Sequence, residues 1–217
     1  ENGTVTSQQA LQNPYDNRMA IGNQDFIQLP FLEHTITDTH FDSPDRRGRS
    51  AAFLARIATD FQVRSFGIGS EEFTAVCIEE NGEARVFGSY PDFNDFAYFM
   101  QANCTDTFVP ENCTNGNPLE WNRNGEAVKV YKVPVTENGA NSFNLTDWET
   151  GLGGDWEDWS VLNGVLETVS GSTPDCSSLG LEEERNMVVT AYPNPFENQI
   201  QIASPLPSDY AFEQTKR

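Results

Sequence analysis

Hydrophobic residues recur in two adjoining patterns near the middle of the N-terminal half. Residues 34–41, HTITDTHF, are short and rich in β-branched side chains, which predicts a buried strand that ends near His40. In the next segment, SAAFLARIATDF, apolar side chains recur at helical spacing and predict an amphipathic helix. These side chains are Phe53, Leu54, Ile57, Ala58 and Phe61. Ser43 and Pro44 are suited to the N-cap and first position of that helix.

Two further β patterns follow the helix. Residues 73–88, FTAVCIEENGEARVFG, contain two β-rich runs joined by Asn81-Gly82, a pair preferred where both central turn residues need positive φ. This segment therefore predicts a β-hairpin. Residues 127–135 predict an edge strand or an antiparallel strand. A strand and helix followed by hairpins indicate an α/β fold with a mixed sheet.

The remaining segments are polar. Residues 1–30 are turn-rich, with a turn at NPYDNR, and residues 141–169 carry three of the four tryptophans among glycines and acids. A calcium loop is one interpretation of these acids, but the ligand spacing of an EF-hand is absent, which favours a solvated, aromatic-stapled loop and a terminal strand. We therefore divide the chain into a main domain (1–169), a Ser-, Gly- and Glu-rich linker (170–187) and a second short β segment (188–217).

Charge excludes some classes of partner. The 217 residues include 33 acidic and 13 basic side chains, for a net charge of −20. Most of the surface should repel nucleic acid and anionic membranes, so an anionic ligand needs a local basic cluster. No segment approaches the roughly 20 apolar residues of a membrane span. The sequence makes no prediction about the oligomeric state.

Cysteine and histidine are too sparse for a recognisable metal site, and we predict neither a metal nor a cofactor. The four cysteines show no CxxC spacing, and the chain has two histidines. Cys104 and Cys113 flank a short polar loop, so they form either a local disulfide, in an oxidising compartment, or two free thiols. Cys77, within TAVCIEE, is predicted to be a buried, inert side chain.

Three of the 13 cationic side chains, Arg46, Arg47 and Arg49, surround Gly48 just after His40. A cation at a helix N-terminus costs about 0.3–1 kcal/mol, and a helical glycine costs about 1 kcal/mol relative to alanine. Local stability does not favour this combination, which indicates a clamp for anions or carboxylates. The alternative is a solvated loop in which neighbouring aspartates, Asp42 and Asp45, neutralise the arginines.

His40 also has two interpretations. At the carboxyl end of a sheet strand, where α/β folds bind ligands, it is a candidate general base. A lone histidine can equally be structural, and no G-x-S-x-G nucleophile turn occurs in the chain.

Three ordered motifs, NPYD, TDTHFDSPDRRGRSAAFLAR and GIGSEEFTAVCIEENGEARVFG, resemble the C-terminal half of cyanophycinase and related peptidase E-like serine peptidases. The resemblance covers roughly residues 1–170. It implies a glutamine-amidotransferase-like (flavodoxin-like) sheet that is incomplete at its N-terminus. It also implies hydrolysis of a β-linked aspartyl-arginine polymer or a related aspartyl peptide through an acyl-enzyme.

The same resemblance assigns site residues. His40 is the implied general base, Asp38 is suited to a substrate amine or guanidinium, and Arg46 and Arg49 are suited to carboxylates. Thr39 stands at a substrate-binding position that is often glutamine in cyanophycinase, and Pro44 replaces the usual first arginine, so the exact substrate stays open.

The implied serine nucleophile lies on a G-x-S-A-G elbow upstream of this chain. The chain alone is therefore expected to be inactive, and a sheet without its N-terminal strands is expected to have marginal solubility. Glu1 and Asp16 are the candidates for the third catalytic carboxylate. An aspartyl dipeptidase of different specificity and a non-catalytic binding protein on the same fold are the alternatives.

Near the C-terminus, AYPNPFENQIQI resembles the start of the sorting domain used by the type IX secretion system. This resemblance implies interaction with that machinery and a secreted or cell-surface location. Export would make a Cys104–Cys113 bridge more credible.

Overall fold

The computed structural model describes residues 4–22, 29–104 and 107–176, together with short strands at 190–192 and 201–203. The chain divides into two compact units, Glu1–Leu179 and Gly180–Arg217. Within the described ranges, no helix is long and apolar enough to cross a membrane.

The helices and strands follow one another along the chain in this order: α1 (Ser7–Gln12), β1 (Thr35–Thr39), α2 (Arg47–Phe61), β2 (Phe66–Ser70), β3 (Thr74–Ile78), β4 (Glu83–Gly88), β5 (Phe96–Ala102), β6 (Val128–Pro134), β7 (Asn141–Asn144), β8 (Gly151–Leu152), β9 (Asp155–Leu162), β10 (Val165–Ser170), β11 (Thr190–Tyr192) and β12 (Gln201–Ala203). The last two form an antiparallel pair in the second unit.

A six-stranded mixed sheet in the order β1-β2-β5-β6-β9-β10 forms the centre of the first unit. β1 and β2 pair in parallel with α2 between them in sequence, and the other neighbours pair antiparallel. A four-stranded antiparallel sheet has the order β3-β4-β7-β8. These arrangements confirm the predicted α/β class with a mixed sheet, and also the predicted hairpin.

The central sheet separates two hydrophobic cores. Tyr98 and Met100 of β5 pack in the core that includes α1 and α2. Ala97 and Phe99 of the same strand pack in the core that includes the small sheet. Because successive strand residues point to opposite faces, the unit consists of a helical layer, the mixed sheet and the antiparallel sheet.

The start of α2 differs from the prediction. The helix begins at Arg47, with Arg46 at the N-cap, and not at Ser43 and Pro44. Tertiary contacts replace the predicted cap: the Ser7 hydroxyl accepts a hydrogen bond from the Arg49 amide (3.2 Å) and donates to the Asp45 carbonyl (2.6 Å).

Gly48 is explained by the same contact between the helices. A Cβ at Gly48 would lie 2.7 Å from Leu11 Cδ1 and 2.9 Å from Ser7 Cβ. The glycine therefore allows α1 to approach α2, and this packing offsets its unfavourable helix propensity. Sequence patterning alone did not predict α1, because it has only six residues.

The hairpin turn is wider than the one predicted. Gly82 has positive φ (84°), but Asn81 does not. The Glu79 amide donates to the Glu83 carbonyl, and the Asn81 side chain accepts from the Glu83 amide. The turn therefore needs positive φ at one of the two residues, and Asn81 acts through its side chain.

The loop predicted within residues 141–169 is wrong, because the segment contains strands β7, β8 and β9, whereas the predicted terminal strand is present as β10. β9 lies inside the central sheet, and Trp159 is fully buried there. Its acids were interpreted as solvated, yet Asp158 lies 2.7 Å from the buried Lys129 ammonium. β6, predicted to be an edge or antiparallel strand, is antiparallel to both of its neighbours and lies between them.

The cysteine predictions are also wrong. Cys104 is bonded to Cys176, and Cys113 is a buried free thiol. Cys77 is exposed, because it lies on the face of β3 opposite to Val76, which packs against the core. The bonded Cys176 lies within the predicted linker, 170–187.

We expect the number of reactive thiols to rise from one in the native protein to two after denaturation. One thiol per chain, Cys77, should react rapidly with a chromogenic disulfide reagent in the native state. Burial raises the pKa of Cys113 to about 11 and excludes the reagent, so that thiol should react only after denaturation. If two thiols react rapidly while the tryptophan fluorescence remains that of the folded protein, the buried position of Cys113 is contradicted.

Candidate functional site

The parallel pair β1 and β2 brings two segments together at the carboxyl edge of the central sheet. Thr39 lies opposite Ser70 at the end of the register. His40 follows β1 with positive φ (52°), and Glu71 and Glu72 follow β2. Such carboxyl ends are the usual location of ligand sites in α/β folds.

His40 and Glu72 meet at this edge. His40 Nδ1 lies 3.5 Å from Glu72 Oε1, and the side chains are 51% and 54% exposed. A carboxylate on Nδ1 favours the tautomer in which Nε2 is free to accept a proton. The distance is longer than a typical N–H···O hydrogen bond.

Glu72 was not predicted as the partner of His40. Of the predicted candidates, Asp16 is bonded to Arg18 (2.8 Å), which lowers the Asp16 pKa to about 2, and Glu1 lies outside the described residues. The sequence patterning gave no signal for Glu72, because the strand that precedes it, β2, was not among the predicted elements. Parallel pairing, which sequence patterning does not reveal, was the missing information.

The residues predicted to bind substrate form a cluster on the helical side of the same edge. Arg49 makes two hydrogen bonds to Asp38, from Nε to Oδ2 (2.8 Å) and from Nη2 to Oδ1 (2.5 Å). Arg46 Nη1 donates to the Thr39 carbonyl (2.7 Å) and lies 3.4 Å from Asp38 Oδ1. The structure therefore brings Asp38, Thr39, Arg46 and Arg49 together, with the acid and the bases bound to each other.

The charges in this cluster do not balance. Two guanidinium groups share one carboxylate, and Asp38 and Arg49 are each 12% exposed. Arg46 Nε is buried and makes no hydrogen bond within the described residues. The cluster keeps one excess positive charge, which suits a carboxylate of a ligand.

The third arginine of the run has a separate partner. Arg47 bonds to Asp45 through Nε (2.9 Å) and Nη2 (2.7 Å), which lowers the pKa of Asp45. This pair fits the alternative interpretation, in which aspartates neutralise the arginines at the surface. Arg47 therefore pairs with Asp45 at the start of α2 and lies outside the cluster around Asp38.

The Asp38–Arg49 and Asp45–Arg47 ion pairs should contribute differently to the free energy of unfolding. We expect Arg49→Ala to lower the free energy of unfolding by about 2 kcal/mol, between the values typical of exposed and buried pairs. Arg47→Ala, a matched loss of one bidentate arginine from the same helix, should cost about 0.5 kcal/mol or less. Urea unfolding measures both, and equal losses would show that the Asp38 pair is as weakly coupled as the exposed one.

Beneath the site, three side chains join the segments that carry His40 and Glu72. The Phe41 ring lies against Gly69, where a Cβ would be 2.7 Å from the ring. Tyr98 packs on Phe41 at 4.8 Å between ring centroids and donates to Glu71 Oε1 (2.6 Å). Burial raises the pKa of Glu71, while the donated hydrogen bonds oppose that rise.

Within the described part of the chain, no group of three histidine, cysteine, aspartate or glutamate side chains is placed to hold a metal ion. Comparison with models of known protein families, with curated proteins and with solved structures found no match to the chain.

Proposed function

We propose that this chain supplies the general base and a carboxylate-binding clamp of a secreted serine exopeptidase similar to cyanophycinase. The observation that carries the proposal is the Glu72 carboxylate on Nδ1 of His40, at the carboxyl edge of the sheet. The proposed substrate is a β-linked aspartyl-arginine polymer or a related aspartyl peptide. The proposed nucleophile is a serine upstream of the chain.

In the proposed mechanism, His40 Nε2 accepts the proton of the serine hydroxyl as the oxygen attacks the substrate carbonyl. The imidazolium then gives this proton to the leaving amine, and an acyl-enzyme remains. Water then attacks the acyl carbonyl as His40 accepts its proton, and His40 returns that proton to the serine oxygen as the ester C–O bond breaks and the acid product leaves. Glu72 orients the imidazole and stabilises its charged form, and no cofactor takes part.

The substrate contacts follow from the charges at the clamp. Arg46 has the longer contact with Asp38, so a substrate carboxylate can bind Arg46 without breaking the Asp38–Arg49 pair. Thr39 is exposed beside it. Asp38, which accepts two hydrogen bonds from Arg49, would bind a substrate cation only in competition with that arginine.

The finer fold type, the domains and the location belong to the same proposal. The parallel β1–α2–β2 unit supports a glutamine-amidotransferase-like sheet. The Cys104–Cys176 disulfide is compatible with an oxidising, extracellular compartment. Residues 188–217 would then begin a sorting domain for type IX secretion.

The test is hydrolysis by the full-length protein. Incubated with cyanophycin, it should release β-aspartyl-arginine dipeptides, which mass spectrometry detects. Activity on small β-aspartyl dipeptides without release from the polymer would indicate an aspartyl dipeptidase instead. No hydrolysis in either assay would refute the peptidase.

The 3.5 Å separation of His40 and Glu72, longer than a typical N–H···O hydrogen bond, favours one second candidate. In that case the protein binds aspartyl peptides through the clamp without hydrolysing them. Calorimetry should then detect binding of an aspartyl peptide that remains intact and that loses affinity in the Arg46→Ala variant. The upstream sequence also distinguishes the two, because only the peptidase requires the serine elbow.

A further inference from the structure

A single buried side chain contacts the neighbours of both members of the His40–Glu72 pair. Tyr98, on β5, is 5% exposed. Its ring packs against Phe41, the residue after His40, and its hydroxyl donates to Glu71, the residue before Glu72.

Both segments are fixed at these neighbours. The Phe41 amide donates to the Ser70 carbonyl (3.2 Å), and the Phe41 ring is 1% exposed against Gly69. Glu71 makes three hydrogen bonds to the start of β5: its amide donates to the Phe96 carbonyl (3.1 Å), and its carboxylate accepts from the Phe96 amide (2.8 Å) and the Tyr98 hydroxyl.

The direct interaction between His40 and Glu72 is weak. His40 and Glu72 are both more than half exposed and are 3.5 Å apart, so direct attraction between them is worth about 1 kcal/mol or less. Their separation must therefore be determined mainly by the backbone of the two segments. That backbone is positioned through Phe41 and Glu71.

We propose that Tyr98 is a positioning residue that holds His40 and Glu72 at a distance where the carboxylate selects the imidazole tautomer. The proposal rests on the proposed function, because it takes His40 and Glu72 as the base and its partner. It goes beyond that function by assigning a role to a side chain that contacts neither the imidazole nor the Glu72 carboxylate. The hydroxyl is the essential group, since phenylalanine would keep the packing on Phe41.

The test uses ¹⁵N-histidine NMR of the full-length protein, at a pH where the imidazole is neutral. The His40 signals are assigned by their loss in His40→Gln, and their shifts report which nitrogen carries the proton. In the native protein the share of imidazole with the proton on Nδ1 should be larger than in the Glu72→Gln variant. Glu72→Gln should lower the Nδ1–H to Nε2–H ratio about threefold, as expected for an exposed charged pair.

Tyr98→Phe should lower the same ratio by a similar factor, although it leaves both His40 and Glu72 in place. Glu71→Gln removes one of the two carboxylate oxygens that accept hydrogen bonds, and it should also lower the Nδ1–H to Nε2–H ratio. It serves as the second variant if Tyr98→Phe does not fold. Tyr90→Phe, at an exposed tyrosine, is the control and should leave the ratio unchanged.

The outcomes separate the two claims. A ratio that falls in Glu72→Gln but is unchanged in folded Tyr98→Phe and Glu71→Gln would refute the positioning role and leave the base pair intact. A ratio unaffected by Glu72→Gln would refute the His40–Glu72 pair, and with it both the positioning role and the assignment of the base.

Discussion

Replacing Cys104 and Cys176 with serine should lower the free energy of unfolding by about 4 kcal/mol, which is the largest expected effect on stability. The bridge joins residues 72 positions apart and encloses strands β6 to β10. In the chain-entropy description, a crosslink over a loop of this length lowers the conformational entropy of the unfolded chain, which stabilises the folded state by about 4 kcal/mol. The loss should therefore appear without any change in the core.

Urea unfolding followed by tryptophan fluorescence measures this effect, because all four tryptophans lie in the first unit. Cys77→Ser, at an exposed free thiol, is the control and should change the free energy by about 0.5 kcal/mol or less. Equal midpoints for the double variant and this control would contradict the disulfide.

Replacing His40 with alanine should lower kcat/KM of the full-length protein for the proposed aspartyl substrate by about 10³-fold. The imidazole is the proposed acceptor of the serine proton, and positioned acid–base groups typically contribute about 10²- to 10⁴-fold. Folding should be unaffected, because the His40 side chain is half exposed. His34→Ala, at the second histidine, is the control and should retain near-native kcat/KM.

Glu72→Gln should have a smaller effect on the same assay, about 10- to 100-fold in kcat. Its role is to orient the imidazole, and an exposed partner at 3.5 Å does this less strongly than a buried one. KM should change little, because Glu72 is not part of the clamp. A rise in KM with kcat unchanged would instead place Glu72 in substrate binding.

Local patterns predicted the parts of the fold that depend on local periodicity. The strand before His40, the helix after it and the hairpin around Asn81-Gly82 all lie near the predicted positions. Each of these elements is determined by spacing within about 18 residues, which is the range over which hydrophobic periodicity is informative.

The wrong predictions involved residues whose partners are distant in sequence. β9 was missed because its acids look solvated until Lys129 of β6 pairs with Asp158. The partner of Cys104 is 72 residues away, whereas the predicted partner was chosen for its short loop. Gly48 looked unfavourable because the contact that requires it comes from α1.

The candidate site shows the same division. Residue types alone indicated His40 and the arginine run as candidates, and they left a structural interpretation open for each. Glu72 was missed because its proximity to His40 depends on the parallel pairing of β1 and β2 across the intervening helix. Asp38 and Arg49 were both predicted to bind substrate, but their ion pair with each other was not predicted. That pair forms because α2 begins at Arg47 and brings Arg49 close to the end of β1.

The central claim, that His40 is the base for a serine nucleophile, is tested most directly by labelling with a fluorophosphonate, which reacts with activated serines. The full-length protein should be labelled at one serine, identified by mass spectrometry, and His40→Ala should lose this labelling while His34→Ala retains it. Labelling of that serine at the same rate in His40→Ala, or no serine labelled in the native protein, would contradict the claim.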